Sequence, residues 1–184
     1  MANPAKTSAE AIVAATVSII EHYGIEHLSV RAVARDLGLA PNALYYRFPA
    51  RSTLEAAVAA DGMRRLNAVL RKRVSGLEGE DAIRRACRAY LRFGRSHPAV
   101  YAMMMKKYPE ASGLLAERED FRDVSVSLFA SLVDRRAASK ASSAFWALLH
   151  GFVELEIAGL LTARELSVDA SLAVSALIAG LSSQ

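Results

Sequence analysis

The sequence predicts an all-α protein of about nine helices, and three observations lead to this prediction. Apolar residues recur at intervals of three and four along most of the 184 residues, which is the periodicity of an amphipathic helix. No stretch shows the strict alternation of apolar and polar residues that is typical of a half-buried strand. Hydrophobic residues make up 53% of the chain, which is enough to build a substantial core.

The first two helices have recognisable starts and ends. The first is predicted to begin at a Thr7-Ser8-Ala9-Glu10 sequence, which has the spacing of a capping box, and to run to Tyr23. The second is predicted to begin after Ser29, a residue type that caps helix N-termini, and to cover residues 30–37. Gly38 follows at the place where a left-handed residue usually ends a helix.

The third helix is very short, and the fourth is long. Pro41 is favourable in a first turn, where its missing N–H costs nothing, and the third helix is predicted over residues 41–47. A second capping-box sequence, Ser52-Thr53-Leu54-Glu55, predicts the start of a fourth helix that extends to about Val74.

The remaining chain is predicted to form five more helices with a loop over residues 108–113. The predicted spans are residues 81–97, a short segment over 101–105, 114–136, 141–162, and a last helix that is capped by Ser167 and runs to about residue 181.

The charge of the chain is concentrated at its N-terminal end. Residues 1–75 carry 10 basic and 6 acidic side chains, whereas residues 76–184 carry 13 of each. A basic module ahead of a neutral one favours a polyanionic partner such as nucleic acid, although a solvated basic surface has the same composition.

Several classes of protein are not indicated by the sequence. The single cysteine, Cys87, excludes an internal disulfide framework and a cysteine-based zinc site. The N-terminus has no apolar segment of a secretory signal, and no uncharged apolar run is long enough to span a membrane. We therefore expect a soluble, cytoplasmic protein without cofactor or metal. Motifs for nucleophilic, phosphate-binding or metal-dependent catalysis are lacking, so we expect no enzymatic activity.

The second and third helices have the arrangement of a helix-turn-helix, with Gly38 in the turn. Four polar or aromatic residues are then left on the outer face of the third helix: Asn42, Tyr45, Tyr46 and Arg47. Asparagine can pair with a base edge, and tyrosine can contact a phosphate or a thymine methyl group. The alternative is that the tyrosines fill the core, but neighbours on a helix point about 100° apart, so at most one could do so fully.

These residues carry a resemblance to a known family. The stretch from Ser29 to Ser52, and above all LYYRFPARSTLEAAV within residues 44–58, resembles the DNA-binding signature of the TetR family of bacterial transcriptional regulators. The resemblance covers about residues 7–60. In the second half, AFWALLHGFVELEIAGLL resembles the Trp–His–Gly motif of one class of TetR-type C-terminal domains.

The resemblance implies roles for individual residues in DNA binding. The positions that match DNA contacts are Ser29, Arg31, Pro41, Asn42, Tyr45, Tyr46, Arg47 and Arg51. Arg31 matches a position that can read a base, and Pro41, Asn42 and Tyr45 match groove-facing positions. Ser29, Tyr46, Arg47 and Arg51 match positions that usually hold phosphates. The chain departs from the family at Ala40 and Ala43, where hydroxyl or amide side chains are frequent, so sequence preference is expected to depend more on DNA shape.

The second half of the chain is interpreted as a ligand-binding and dimerisation domain. The run Met103-Met104-Met105 suits an adaptable apolar cavity, although methionine also fills ordinary cores. The residues predicted to bind a ligand are Tyr90, Phe93, Tyr101, Met104, Phe121 and Trp146. The eighth helix is apolar nearly all round and must be buried on two sides, so it is predicted to form a two-fold four-helix interface with the ninth. The residues predicted for that interface are Phe152, Leu155, Leu172, Leu177 and Leu181.

The sequence therefore predicts a DNA-binding domain over residues 1–51 and a ligand-binding, dimerising domain over residues 52–184, connected by the helix over 52–74. The predicted function is a homodimeric, sequence-specific transcriptional regulator that binds a roughly palindromic operator. We expect a repressor whose DNA binding is relieved by a small, mainly apolar effector. The alternative is a helical adaptor or ligand-binding protein whose basic N-terminal module binds DNA without ligand control.

Overall fold

The computed structural model describes residues 8–108 and 112–182, and it confirms the all-α prediction. Nine α-helices and one 3-10 turn, Ile25–His27, are present in these ranges, and no strand is found in them. The helices are α1 (Ala9–Tyr23), α2 (Val30–Leu37), α3 (Pro41–Arg47), α4 (Arg51–Val74), α5 (Gly79–Ser96), α6 (Pro98–Met104), α7 (Ser112–Ser127), α8 (Arg135–Ile157) and α9 (Ala163–Ser182). None of the helices in the described part of the chain has the length and apolarity to cross a membrane.

The chain forms two compact units that are not continuous in sequence. The first unit runs to Arg64 and also takes in residues 97–117, and the second comprises residues 65–96 and the chain from Arg118 onwards. The functional division at residues 51/52 remains a prediction, since it concerns which residues bind which partner.

The first unit is built around α1, which packs on α2, on the 3-10 turn and on α6. Its N-cap is Ser8, whose hydroxyl accepts a hydrogen bond of 3.1 Å from the main-chain N–H of Ala11. The predicted cap, Thr7, lies outside the described residues. The N-cap of α1 is therefore Ser8, one residue later than the capping-box spacing predicted.

The start of α4 also differs from the prediction. The helix begins at Arg51, one residue before the proposed cap Ser52. Thr53 reaches back to Ala50, whose main-chain N–H donates to the threonine hydroxyl at 3.3 Å. This bond is the reciprocal half of a capping box, made by threonine where glutamate is usual. Glu55 is then free to pair with Arg51 on the next turn.

The second unit is centred on α5, which packs on both α8 and α9. Gly94 of α5 lies against Val153 of α8, and a Cβ atom added at Gly94 would come within 2.6 Å of the Val153 Cγ1 atom. The close approach of these two helices therefore depends on the missing side chain at Gly94. Elsewhere in the unit, Phe129 and Phe145 pack edge to face with ring centroids 5.6 Å apart.

The predicted seventh and eighth helices have incorrect bounds. The prediction continued one helix to Arg136, but α7 ends at Ser127 and α8 begins at Arg135. Asp134 fixes the start of α8, because its carboxylate accepts hydrogen bonds of 2.8 and 2.9 Å from the main-chain N–H groups of Arg136 and Ala137. No glycine or proline marks this break in the sequence. The predicted loop over 108–113 also ends early, since α7 begins at Ser112; residues 109–111 lie outside the described residues.

The last helix begins four residues before the predicted cap Ser167. Thr162 caps α9: its hydroxyl accepts the N–H of Glu165 at 3.3 Å, and the Glu165 carboxylate accepts the N–H of Thr162 at 2.8 Å. The main-chain N–H of Thr162 and the Thr162 hydroxyl both donate to the Glu165 carboxylate and hold the pKa of this carboxyl below its ordinary value. The Thr-x-x-Glu spacing is a complete capping box that the sequence analysis did not identify.

Candidate DNA-binding surface

The turn between α2 and α3 is fixed by residues at both of its ends. The Ser29 hydroxyl caps α2 by accepting the N–H of Ala32 at 3.0 Å. Gly38 ends α2 in the left-handed conformation with φ 66°, which a residue with a side chain adopts only under strain. The chain then turns into α3, where Pro41 occupies the first turn as expected. Ala40, at the N-cap, makes no side-chain cap.

The single inward anchor of α3 is Leu44, which is fully buried. The side chain of Tyr45, the next residue, is 42% exposed, and that of Tyr46 is 90% exposed. Asn42 and Pro41 are exposed as well. The two tyrosines therefore do not fill the core. Asn42, Tyr45 and Tyr46 are spaced i, i+3 and i+4, so they share one solvent-facing side of the helix.

The N-terminal end of α2 adds two of the predicted contacts. Ser29 and Arg31 are both exposed. The Ser29 hydroxyl oxygen accepts the capping hydrogen bond, but its O–H remains able to donate to a phosphate. Arg31 lies in the first turn, and its guanidinium makes no hydrogen bond or ion pair among the described residues.

Arg51 has structural contacts in addition to its predicted role. Its Nε donates to the Glu55 carboxylate at 2.7 Å, and one of its terminal nitrogens donates to the main-chain carbonyl of Ile25 at 3.1 Å. The bond to Ile25 connects the start of α4 to the 3-10 turn that precedes α2. A guanidinium carries five N–H donors, so Arg51 can hold this turn and still offer donors to a phosphate.

Arg47 is exposed at the end of α3 and contributes to the field around the N-terminus of α1. The main-chain N–H of Glu10 and the Ser8 hydroxyl hold the pKa of the Glu10 carboxyl below its ordinary value, and the Arg47 guanidinium acts in the same direction. The eight residues predicted to contact DNA are thus all exposed and come from α2, α3 and the start of α4.

The six predicted ligand-binding residues are distributed over both units. Tyr101 and Met104 are fully buried in the first unit. In the second, Tyr90 and Phe93 are buried, and the rings of Tyr90 and Phe121 lie with centroids 6.0 Å apart. Trp146 is 41% exposed and stacks on His150. None of the six lines either of the two cavities described below.

The predicted dimer residues lie on or near the solvent-facing side of α8 and α9. Leu172 is 71% exposed and Leu155 is 40% exposed, whereas Phe152, Leu177 and Leu181 are half-buried. Further exposed apolar residues accompany them on these helices and on the segment between them: Trp146, Ile157, Leu160 and Val168.

Two cavities lie at positions that the sequence did not predict. One, of about 670 Å³, lies within the first unit between the N-terminal turns of α1, the first half of α4 and the start of α7. It is lined largely by small apolar residues, with Glu10, Asp61, Arg64 and Glu117 among the charged groups. The other, of about 390 Å³, lies within the second unit between α5 and α9. Small alanines in a helix carry no signal of a cavity, so the sequence could not reveal the first.

Comparison with protein-family models decides the class of the protein. A model described as "Bacterial regulatory proteins, tetR family" matches residues 12–58, and one described as "Tetracyclin repressor-like, C-terminal domain" matches residues 83–179. The chain belongs to the TetR family. It is a transcriptional regulator with a helix-turn-helix DNA-binding domain, and its family is one of regulators rather than enzymes.

Similar proteins agree with this membership. An uncharacterised HTH-type transcriptional regulator of Mycobacterium tuberculosis, Rv0681, is 28% identical over 166 residues, which is 88% of this chain and 75% of that protein. A protein of unknown function from Rhodococcus sp. RHA1 has a TM-score of 0.81 at 24% identity, with 95% of both chains covered. A variant of TetR from Acinetobacter baumannii AYE in complex with minocycline has a TM-score of 0.68 at 15% identity, covering 94% of this chain and 95% of that one. The two structural likenesses are likenesses of fold.

Proposed function

We propose that this TetR-family regulator is a repressor that binds a roughly palindromic operator as a homodimer and releases it when a small, mainly apolar molecule binds. The observation that carries the DNA-binding part is the orientation of α3. Leu44 fixes the helix in the core, and the side chains of Asn42, Tyr45 and Tyr46 are thereby left facing solvent. A seven-residue helix whose polar and aromatic side chains face solvent is suited to insertion into a major groove.

Base reading and phosphate binding are assigned to different residues. Asn42, Tyr45 and Pro41 are proposed to meet base edges, with Arg31 reading a base from the start of α2. Ser29, Tyr46, Arg47 and Arg51 are proposed to hold phosphates. Since Ala40 and Ala43 offer no polar groups, part of the sequence preference is proposed to come from the shape of the operator.

The homodimer is supported by features of α8 and α9. Leu155 and Leu172 expose apolar surface that a partner could cover. Gly151 of α8 and Gly180 of α9 point to the same conclusion, because a Cβ atom at either position would have no neighbour within 4 Å in its own chain. Glycine inside a helix lowers stability by about 1 kcal/mol relative to alanine. Both glycines would be explained if a second copy packs closely against these positions, where a side chain would not fit. Two-fold symmetry then places the recognition helices on half-sites about 34–36 Å apart.

The cavity in the first unit is the proposed site of the effector. Its volume of about 670 Å³ suits a small molecule. Ala9 and Val13 of α1, together with Ala56, Ala57 and Ala60 of α4, supply the apolar part of the lining. A ligand wedged between these helices would move the elements that flank the helix-turn-helix. The fold neighbour that binds minocycline lends support by analogy only.

A regulator of bacterial transcription acts where the chromosome lies, so we place the protein in the cytoplasm. We also propose that the DNA-binding domain ends at residue 51 and the ligand-binding domain begins at residue 52. The effector cavity is lined by residues on both sides of this boundary. The predicted ligand residues around Tyr90 and Trp146 are the rival location for the effector, and the two locations are separated by a variant test described in the Discussion.

Selection of DNA from a random pool tests the proposed function. The full-length protein is expected to enrich one motif with two inverted half-sites about one helical turn apart, as a two-fold dimer requires. Enrichment of no motif at physiological salt would contradict sequence-specific recognition. Enrichment of a single half-site without its inverted copy would contradict the palindromic operator.

A further inference from the structure

The cleft between α5 and α9 combines an apolar floor with a row of arginines. Arg84, Arg88, Arg92 and Arg95 all line it. Their spacing of four, four and three residues places the four side chains within one narrow sector of α5. The row spans 11 residues, or about 16 Å along the helix axis. No aspartate or glutamate is among the residues that line this cleft.

The two arginines at the ends of the row are already engaged. Arg84 donates to the Ser175 hydroxyl at 2.8 Å and pairs with Glu80 at 3.2 Å. Arg95 pairs with Glu156 of α8 at 2.7 Å. These contacts fix the ends of the cleft against α8 and α9, so the end arginines serve the fold.

The two central arginines, by contrast, make no hydrogen bond or ion pair among the described residues. Arg88 and Arg92 are four residues apart on the same face, so their guanidinium groups can converge on one anion. Ser167 and Ser171 line the opposite wall on α9 and are also four residues apart. Ala163, at the start of α9, lines the same cleft, and the N-terminus of this helix is already capped by the Glu165 carboxylate.

The floor of the cleft is apolar. Leu91, Leu166 and Val174 are buried side chains that line it, together with the buried thiol of Cys87. Burial raises the pKa of Cys87 to about 11, and the neighbouring Arg88 and Arg84 oppose this rise only in part. The thiol is therefore neutral at physiological pH and belongs to the apolar floor rather than to the charged wall.

We propose that this cleft binds an elongated amphiphilic anion, whose phosphate or carboxylate head lies between Arg88 and Arg92 and whose apolar chain lies on the floor. The site is distinct from the proposed effector cavity, which lies in the first unit, and it does not depend on the proposed operator. This ligand carries an anionic head, whereas the proposed effector is mainly apolar, so the regulator would respond to two different ligands.

The test uses full-length protein, decyl phosphate and decanoate below their micellar concentrations, and Cys87 as a reporter. Because Cys87 is the one cysteine in the chain, N-ethylmaleimide alkylates a single thiol. The thiol is buried and neutral, so its alkylation is slow and is followed at alkaline pH, where the rate reports on access to the floor of this cleft. At least one of the two probes is expected to bind by titration calorimetry and to slow the alkylation of Cys87. Preference for decyl phosphate or for decanoate then distinguishes a phosphate head from a carboxylate head. Inorganic phosphate alone should bind more weakly than the preferred probe, because it leaves the floor uncovered.

A charge-matched pair of variants separates a site from a general basic field. Arg88→Gln/Arg92→Gln is expected to weaken the preferred probe by about tenfold or more and to abolish the protection of Cys87. Arg85→Gln/Arg136→Gln removes the same charge from exposed positions outside the cleft and should behave like the wild type. Equal weakening by both variants, or unchanged alkylation at saturating probe, would overturn the proposal. Failure of both probes to bind, or protection of Cys87 by a short random DNA duplex instead, would also overturn it.

Discussion

The Arg51 guanidinium donates a hydrogen bond of 3.1 Å to the main-chain carbonyl of Ile25. This contact joins the first turn of α4 to the 3-10 turn ahead of α2, 26 residues earlier in the chain. The same side chain is proposed to hold a DNA phosphate. Arg51 can therefore orient the helix-turn-helix against α4 and contact the DNA with its remaining donors.

Replacement of Arg51 by alanine should reduce both stability and DNA affinity. Loss of the bond to Ile25 and the pair with Glu55 is expected to cost about 1 kcal/mol of unfolding free energy, because the Arg51 side chain is half exposed to solvent. Operator and random DNA should weaken alike, and the salt dependence of log K should fall by about one unit. Denaturant unfolding and binding titrations at several salt concentrations measure the two effects.

Arg35→Ala is the matched control for this prediction. Arg35 is exposed in the last turn of α2 and makes no side-chain bond among the described residues. Its loss removes the same charge without removing a contact to Ile25, so the unfolding free energy should stay within about 0.5 kcal/mol of the wild type. An equal loss of stability in both variants would mean that charge, rather than the contact, is responsible.

Two helix-interior glycines should respond in opposite ways to the same substitution. Gly94→Ala inserts a Cβ atom against the buried Val153, and overpacking of this kind typically costs about 1–3 kcal/mol. That cost should exceed the gain in helix propensity of about 1 kcal/mol, so the variant should be less stable. Gly151→Ala meets no atom within 4 Å in its own chain, so in a chain kept monomeric by Leu172→Glu, where no second copy approaches α8, it should be neutral or stabilising. Urea unfolding of both variants checks the difference, and a stabilised Gly94→Ala would contradict the described packing of α5 on α8.

The proposed dimer predicts a large effect at Leu172. Its side chain is 71% exposed in a single chain, and Leu172→Glu would bury a charge at the two-fold interface, which is unfavourable by several kcal/mol. The variant should be a monomer by light scattering at micromolar concentration, where the wild type should be a dimer. Leu115→Glu, at a position on α7 that is 54% exposed, should leave the dimer intact. A wild-type monomer, or a Leu172→Glu dimer, would contradict the proposed interface.

The helix-turn-helix could be predicted from local signals, whereas other parts of the structure could not. Gly38 and Pro41 carry conformational constraints that act on their own residues, so the bounds of α2 and α3 agree with the prediction. The start of α8 depends on the Asp134 carboxylate, which accepts hydrogen bonds from two main-chain N–H groups. An aspartate within an amphipathic sequence does not by itself indicate that role.

The cavities were not predictable for a different reason. Ala57 and Ala60 indicate only that this segment is helical. The space beside them arises from the way in which α1, α4 and the start of α7 pack together. Of the aromatic and methionine residues that are predicted to bind a ligand, Tyr90, Tyr101 and Met104 are buried, and their role in ligand binding stays a prediction. Composition can thus suggest that a cavity exists, but its position depends on how the helices pack.

The effector should bind the DNA-free protein more tightly than the operator complex. If it occupies the cavity in the first unit, a preference of about 1–3 kcal/mol for the form that cannot bind DNA weakens operator binding by about 5–150-fold, and the operator must weaken effector binding by the same factor. Titration calorimetry with and without operator measures both sides of this linkage. Equal effector affinities would contradict ligand relief and favour the alternative without ligand control.

Two variants locate the effector in the same assay. Ala60→Phe fills the cavity beside α1 and should abolish the response to effector while leaving operator affinity without effector largely unchanged. Trp146→Ala should leave the response intact if this cavity is the site. The reverse pattern would place the effector among the residues around Tyr90 and Trp146 instead.

The central claim is that the exposed side of α3 reads the operator, and the Asn42→Ala/Tyr45→Ala variant tests it most directly. Both substitutions are at exposed positions, while the buried anchor Leu44 is kept, so circular dichroism and the unfolding midpoint should be close to those of the wild type. The measurement is the ratio of affinities for the selected operator and for a scrambled duplex at one salt concentration. At about 1–3 kcal/mol for each lost base contact, the ratio should fall by about tenfold or more, while affinity for the scrambled duplex changes little. An unchanged ratio in a folded double variant would contradict the assignment of DNA reading to α3.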